Sequence, residues 1–313
     1  MSDLFVKRGT PETSSLVGEA AALRWLGDAE PAGGMPVAEV VSTSDAELVE
    51  KRVAYGAASA EAAERVGVAL AITHAAGASW WGAPPSGWEG AYRIGASVTP
   101  TVPECDAPLA WGSFFAEWRV MPYVRQARDA QALSRDEASF IERFAGRLAS
   151  GEYDAPQPRL VATSSAGDSK PDGLLKSPEA CEARRNELTG SPEVQREPQS
   201  QIAASTRTPV ARIHGDLWSG NLLWDADPAN RVGARLIDPM AHGGHAETDL
   251  AMLALFGCQY LDRIIAAYNE ASPLADGWRD RIRLHQIGPL LHHCALFGRS
   301  YVSQTMQAIR AYA

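Results

Sequence analysis

Cysteine, positive charge and long apolar runs are all scarce in this sequence. Only Cys105, Cys181, Cys258 and Cys294 occur among 313 residues, and none belongs to a C-x-x-C pair. Their spacing matches neither a disulfide framework nor a zinc site, so free thiols in a reducing cytoplasm are the expectation. Lys and Arg number 29 against 38 Asp and Glu, for a formal net charge of −9. A general nucleic-acid binder needs a basic face, and this balance argues against one. It leaves room for a phosphate-handling enzyme, which needs only a local lysine and a metal ion. No apolar run reaches the ~18 residues of a membrane-spanning helix, and Met1 to Arg8 contain no apolar signal core. Neither a membrane partner nor export is expected.

The remaining composition, 45% hydrophobic and 21% charged, is that of a soluble globular protein long enough for two lobes. Leu4-Phe5-Val6 reads as a short strand. Leu16, Ala20 and Leu23 recur at helical spacing before Gly27, and Val37–Val41 and Leu48–Val53 read as further strands. Ser59 offers a cap to a helix whose apolar stripe is Val66, Leu70 and His74. Residues 80–112, rich in Gly, Pro and Trp, read as an ordered irregular loop in which the tryptophans pack rather than bind. Ser134 and Glu137 form a capping box ahead of Phe140, Ile141, Phe144 and Leu148. Residues 155–208 are rich in Ser, Pro, Glu, Gln and Arg and poor in large apolar residues. They are expected to be a disordered insertion, with one short helix from Ser177 to Leu188.

The chemistry concentrates after that stretch. Residues 214–221 read His-Gly-Asp-Leu-Trp-Ser-Gly-Asn, which is H-x-D-x-x-x-x-N, the spacing of a kinase catalytic loop. Leu222–Trp224 and Arg235–Ile237 are short strands around a turn cluster, and Asp238-Pro239 ends the second. Phosphoryl transfer needs a carboxylate beside the attacking hydroxyl, for which Asp216 is the candidate. It also needs oxygen ligands for Mg²⁺. Asn221 and Asp238 fit, because the hairpin folds one back toward the other. His242-x-x-His245 with Glu247 and Asp249 lacks a fourth ligand at zinc spacing, and the two acids suit the N-terminus of an apolar helix. His285, His292 and His293 lie on an apolar helix, and one of them could reach a substrate.

The run His214–Asn221 resembles the signature of fructosamine kinases, or ketosamine 3-kinases, of the aminoglycoside-phosphotransferase-like, protein-kinase-like superfamily. Ile237-Asp238-Pro239, His242–His245 with Glu247–Leu253, Trp111–Phe115 with Arg119, and Phe297–Tyr301 extend the resemblance. It implies a two-lobed α/β (α+β) kinase-like fold, with a nucleotide-binding lobe over residues 1–53 and a mainly helical catalytic lobe over 54–313. It implies ATP and Mg²⁺ as cofactors, Asp216 as catalytic base, and Asn221 and Asp238 as metal ligands. Lys7 would hold the ATP phosphates and Glu19, twelve residues on, would be its ion-pair partner. Glu50, Lys51 and Arg52 would lie in the hinge whose backbone meets adenine; Lys51 departs from the Glu usual there. Ala246 and Met240 are further departures near the metal loop.

The expected activity is ATP-dependent phosphorylation of a sugar hydroxyl of a small-molecule ketosamine or glycated amine, as in deglycation or Amadori-product metabolism. The alternatives are an aminoglycoside, choline or homoserine-type kinase, or a catalytically impaired kinase-fold protein. Only six residues precede Lys7, too few for the two strands and Gly-rich turn that come first in kinases of this shape. The sheet is therefore expected to lack its first hairpin, and a start placed inside a longer gene is the favoured explanation.

Overall fold

The apolar run Leu4-Phe5-Val6 opens the first strand, β1 (Leu4–Arg8), which pairs antiparallel with β3 (Glu47–Lys51). Strand β2 (Val40–Thr43) pairs with the other side of β3, giving the order β1-β3-β2. β1 is thus an edge strand, and Leu4, Phe5 and Val6 are each more than a third exposed. Helix α1 (Leu16–Gly27) buries Leu16 and Ala20 against Leu48 of β3, the small core that joins helix to sheet. These elements follow the periodicities of the sequence. The structure, a computed structural model, describes residues 3–164 and 208–312.

Helix α2 (Ala60–Ala75) begins where Ser59 accepts a hydrogen bond from the Ala62 amide at 3.1 Å. It packs closely on α8 (Leu261–Ala271): a Cβ at Gly67 would lie 2.2 Å from the Ile264 carbonyl oxygen, so only glycine permits this approach. The loop over 80–112 is mostly irregular, but it contains a short hairpin of β4 (Tyr92–Ile94) and β5 (Ser97–Thr99). Trp81 and Trp111 are buried and stack on Phe114 and Phe115, respectively.

Helix α3 (Trp111–Phe115) runs through a π-helical turn at Ala116–Val120 into α4 (Met121–Asp129). Helix α5 (Arg135–Ala149) has the capping box of Ser134 and Glu137 in place. These helices share a core with α9 (Trp278–Phe297) and α10 (Val302–Arg310), centred on residues such as Phe114, Ile141 and Leu291. A second core joins Ala22, Leu26 and Met35 to Leu70, Ile213, Leu222, Leu250 and Tyr268. The N-terminal segment is therefore anchored in the body of the protein.

Two expectations are corrected. Residues 155–164 are not part of a disordered insertion: α6 (Arg159–Thr163) buries Val161 completely, and Gln157 is 5% exposed. Polar composition misled here because a single glutamine side chain satisfies buried backbone groups. Its Nε2 donates to the Gly244 oxygen at 2.9 Å and its Oε1 accepts from Ala246 N at 3.1 Å. The rest of the expected insertion, with its helix at 177–188, lies outside the described residues, apart from Thr208. Cys105 is not a free thiol but is disulfide-bonded, whereas Cys258 and Cys294 are free. Among the described residues no helix is long and apolar enough to cross a membrane.

Candidate active site

Strand β6 (Ala211–Ile213) pairs antiparallel with β9 (His242–Gly244) and delivers the His214–Asn221 loop. Gly215 takes φ +80°, and a Cβ there would sit 2.3 Å from the Met240 oxygen, so glycine is required at this crossing. A 3₁₀ turn at Ser219–Asn221 leads into the hairpin of β7 (Leu222–Trp224) and β8 (Ala234–Leu236). The ladder continues one step beyond it, since Ile237 N donates to the Asn221 oxygen at 3.1 Å. That bond brings Asn221 next to Asp238, the closeness expected of a hairpin between them.

His214 ties the two loops together. Its Nε2 bonds the Ile237 carbonyl oxygen at 2.9 Å, and its Nδ1 accepts from the Asp216 amide at 3.2 Å. Asn221 Nδ2 donates to the backbone oxygen of Asp216 at 2.8 Å and to its carboxylate at 3.2 Å. The side-chain oxygen of Asn221 is thereby the end left for a cation. Burial, with Asp238 nearby, pushes the Asp216 carboxyl up to about 8, against the lowering effect of Asn221.

Asp238 has φ 53°, the left-handed region that an aspartate enters at some cost. Its carboxylate bonds Lys7 Nζ, which also bonds Glu19 and lies 3.3 Å from Glu50. Burial opposes charge on Lys7, but these three carboxylates outweigh it and raise its pKa. Burial lifts Glu19 to about 7, with Lys7 pulling the other way, and raises Glu50 as well. Glu50 is 2% exposed and its Oε1 has no hydrogen-bond partner.

The structure thus brings Lys7, Glu19, Glu50 and Asp238 together, and Asp216 with Asn221. It does not bring Lys51 and Arg52 to this cluster. Lys51 pairs with Glu39 at 2.7 Å on the surface, and Arg52 reaches the Leu4 carbonyl. Their amides are spent on Glu39 and Asp3 carbonyls, because β3 is the central strand of its sheet. What this segment offers the cluster is the Glu50 side chain. The register explains it: Glu50 lies opposite Phe5, two residues from Lys7 and on the same face.

Two features had no decisive signal in the sequence. Asp249, in the first turn of α7 (Glu247–Leu255), is 1% exposed and accepts bonds from the amides of His214 at 2.7 Å and Gly215 at 3.0 Å. His74 Nε2, 3.1 Å away, completes the clamp. Asp249 therefore fixes the loop that presents Asp216. Arg119 stands on the π-helical turn and lines a narrow, partly open pocket of about 30 Å³ together with Asp216, Thr99, Tyr123, Met240 and His292. A wider depression by Gly56, Trp224 and Tyr260 holds no acid or cation.

His245, Glu247 and His285 lie close enough to hold a cation, but their polar ends are engaged. Arg281 grips both oxygens of Glu247 at 2.8 and 2.6 Å. His245 Nδ1 accepts from the Glu247 amide at 3.2 Å, its Nε2 faces the Ala155 oxygen, and His285 Nδ1 meets Thr248 Oγ1 at 3.0 Å. This is a packed network that seats residues 155–158, not a zinc centre.

The fructosamine kinase family model matches residues 174–313. A crystal structure described as a candidate fructosamine-3-kinase from Thermobifida fusca YX-ER1 is 37% identical, covering 98% of this chain and 84% of that one, with TM-score 0.69. The chain belongs to the fructosamine kinase family. A probable ketoamine kinase of Synechocystis is 27% identical over 277 residues, 88% of this chain and 70% of that protein. Matches to other curated ketoamine kinases are shorter: the chain spans 34% of the length of one from Enterococcus faecium and 30% of one from Lactiplantibacillus plantarum. A gentamicin complex of APH(2")-IIa, 10% identical with TM-score 0.50, shares the fold alone. The fold is thus the two-lobed kinase-like α/β architecture, and the family is one of phosphotransferases that act on a sugar hydroxyl.

Proposed function

We propose that this fructosamine kinase family member transfers the γ-phosphoryl group of ATP to a sugar hydroxyl of a ketosamine. The observation that carries the reading is the position of Asp216. It is half-buried where the narrow pocket meets the Asn221–Asp238 pair, so an acceptor approaching through the pocket and a nucleotide at the pair would meet across it.

The cluster suits a nucleotide with its cation. Lys7 faces three carboxylates, and Asp216 adds a fourth nearby, so the site is short of positive charge. Asn221 and Asp238 would hold Mg²⁺, which when bound neutralises phosphate charge. Lys7, braced by Glu19, would hold the phosphates. Asp216 takes the proton of the attacking hydroxyl; the hydroxyl oxygen forms a bond to the γ-phosphorus as the bond to the ADP oxygen breaks. A raised pKa makes the carboxylate a stronger base once it is ionised, and a cation held by Asn221 and Asp238 would favour that ionised form. His214 and Asp249 hold the loop so that the acid does not swing away.

The test is ATP turnover by the purified chain against a panel of ketosamines, aminoglycosides and choline. Ketosamine-dependent ADP release with a phosphorylated sugar product is expected. Turnover with an aminoglycoside or choline alone would assign a different acceptor class.

A further inference from the structure

Arg119 is 6% exposed and forms no ion pair among the described residues. Its Nη1 donates to the carbonyl oxygens of Pro100 at 2.9 Å and Trp118 at 2.7 Å, and its Nε donates to His242 Nε2 at 3.3 Å. His242 can accept because its Nδ1 is turned to the Met240 oxygen at 2.8 Å. All three acceptors are neutral: burial drives His242 well below its ordinary range. Phe114 covers one face of the guanidinium, 4.8 Å from its centroid. Three N–H groups are thus engaged, and Nη2 is buried with no partner.

A guanidinium held on every side but one, with no counter-charge, is an arrangement that an uncompensated burial does not favour by itself. Burial pulls Arg119 down only to about 10, so it remains charged at neutral pH. Its position on a π-helical turn is a second mark, since such turns disrupt a helix and are common where a side chain is aimed at a ligand. A third lies in the same cavity. His292 stacks on Tyr123 at 4.7 Å, and its Nε2 is also buried without a partner. Asp216 is the acid of that pocket, so two unpartnered polar groups line the same narrow opening as the candidate base.

We propose that Arg119 recognises a carboxylate on the acceptor through its unpaired Nη2, so that ketosamines of free amino acids are preferred over uncharged ones. This rests on the ketosamine kinase reading above. A ketosamine of an α-amino acid carries its carboxylate one carbon from the amine that bears the sugar. Such an anion supplies the charge that Arg119 lacks, and Nη2 offers it two N–H donors. His292, neutral because burial lowers it to about 3, supplies a further hydrogen bond without adding charge.

The experiment compares two acceptors that differ in one group, N-fructosylglycine and its carboxamide, with the wild-type chain at saturating ATP and Mg²⁺. The carboxylate form should have a kcat/KM higher by ~10-fold or more, carried mainly by KM, as loss of a charge-assisted bond would dictate. Arg119→Gln should collapse that ratio toward one, and Arg119→Lys should restore part of it. The wild-type pair decides the matter even if the variants do not fold. Equal kcat/KM for the two acceptors would overturn the role of Arg119, leaving it as a group that packs on Phe114 and ties the Pro100 and Trp118 carbonyls, while the kinase reading stands. No turnover of either acceptor would overturn both.

Discussion

Lys7 and Asp238, 231 positions apart, meet in one ion pair that ties the N-terminal sheet to the exit of the β7–β8 hairpin. Each carries part of what a nucleotide needs, a cation for phosphate and a carboxylate for metal. Their contact also relieves each other's charge while Glu19 and Glu50 crowd the same ammonium. Lys7→Met should therefore raise the KM for ATP by at least ~10-fold, the scale of one lost charge-assisted contact. Three carboxylates would also be left without their cation, so the melting temperature should fall. Nucleotide titration followed by calorimetry measures both, and an unchanged ATP affinity would remove Lys7 from the phosphate site.

Asn221 and Asp238 should differ in how their loss is felt. Asp238→Ala removes a charge and should abolish Mg²⁺-dependent nucleotide binding. Asn221→Ala removes a neutral oxygen, and also the bond that steadies Asp216, so it should raise the Mg²⁺ requirement and lower kcat. Mg²⁺ titrations of turnover and of nucleotide binding read the difference. Identical titrations for wild type and both variants would refute the metal assignment.

Asp249 should act on stability and rate together. It accepts two loop amides and a histidine from a fully buried position. Asp249→Ala strands those donors, and breaking such a buried network typically costs about 3–5 kcal/mol. Urea unfolding should show that loss, with kcat falling as the Asp216 loop loosens. A variant of wild-type stability would mean that the clamp is incidental.

The buried histidines set a pH term. Burial lowers His245 and His292 to about 3 and shifts His214 and His242 the same way. The unfolded chain takes up protons below about pH 6.5 that the folded chain refuses. Their contribution is thus complete above that pH and shrinks as pH falls toward 3. Glu19 and Asp216, raised to about 7 and about 8, act in the opposite sense, because the folded state keeps their protons. One histidine is therefore best read as a difference. His245→Asn should reduce the dependence of unfolding free energy on pH, between pH 6 and 4, by about 1.4 kcal/mol per unit. Equal slopes for wild type and variant would show that His245 titrates normally.

Much of this was legible in the residues. H-x-D-x-x-x-x-N and the hairpin after it pick out Asp216, Asn221 and Asp238, because short-range turns and strands bring them together. Lys7 and Glu19 come from the family resemblance, which the strand-then-helix order supports. Glu50 was read with Lys51 and Arg52 as backbone of the hinge. Strand alternation puts Glu50 and Lys51 on opposite faces, but only the register with β1 says which face holds Lys7. Asp249 read as a helix-dipole charge, since nothing local shows that a distant loop will use it. Arg119 lies on a π-helical turn, which the 3.6-residue period cannot reveal. Gln157 sat in a polar stretch whose composition hid one buried side chain.

The central claim is that Asp216 takes the proton of the sugar hydroxyl. Phosphorus NMR of the reaction of ATP with fructosylglycine, run with wild type and with Asp216→Asn at equal concentration, tests it most directly. A phosphomonoester signal of the sugar should grow with wild type and be slowed by ~10²–10⁴ in the variant, the usual worth of a general base. Nucleotide affinity should be nearly unchanged. Equal rates of phosphosugar formation in the two proteins would contradict the account.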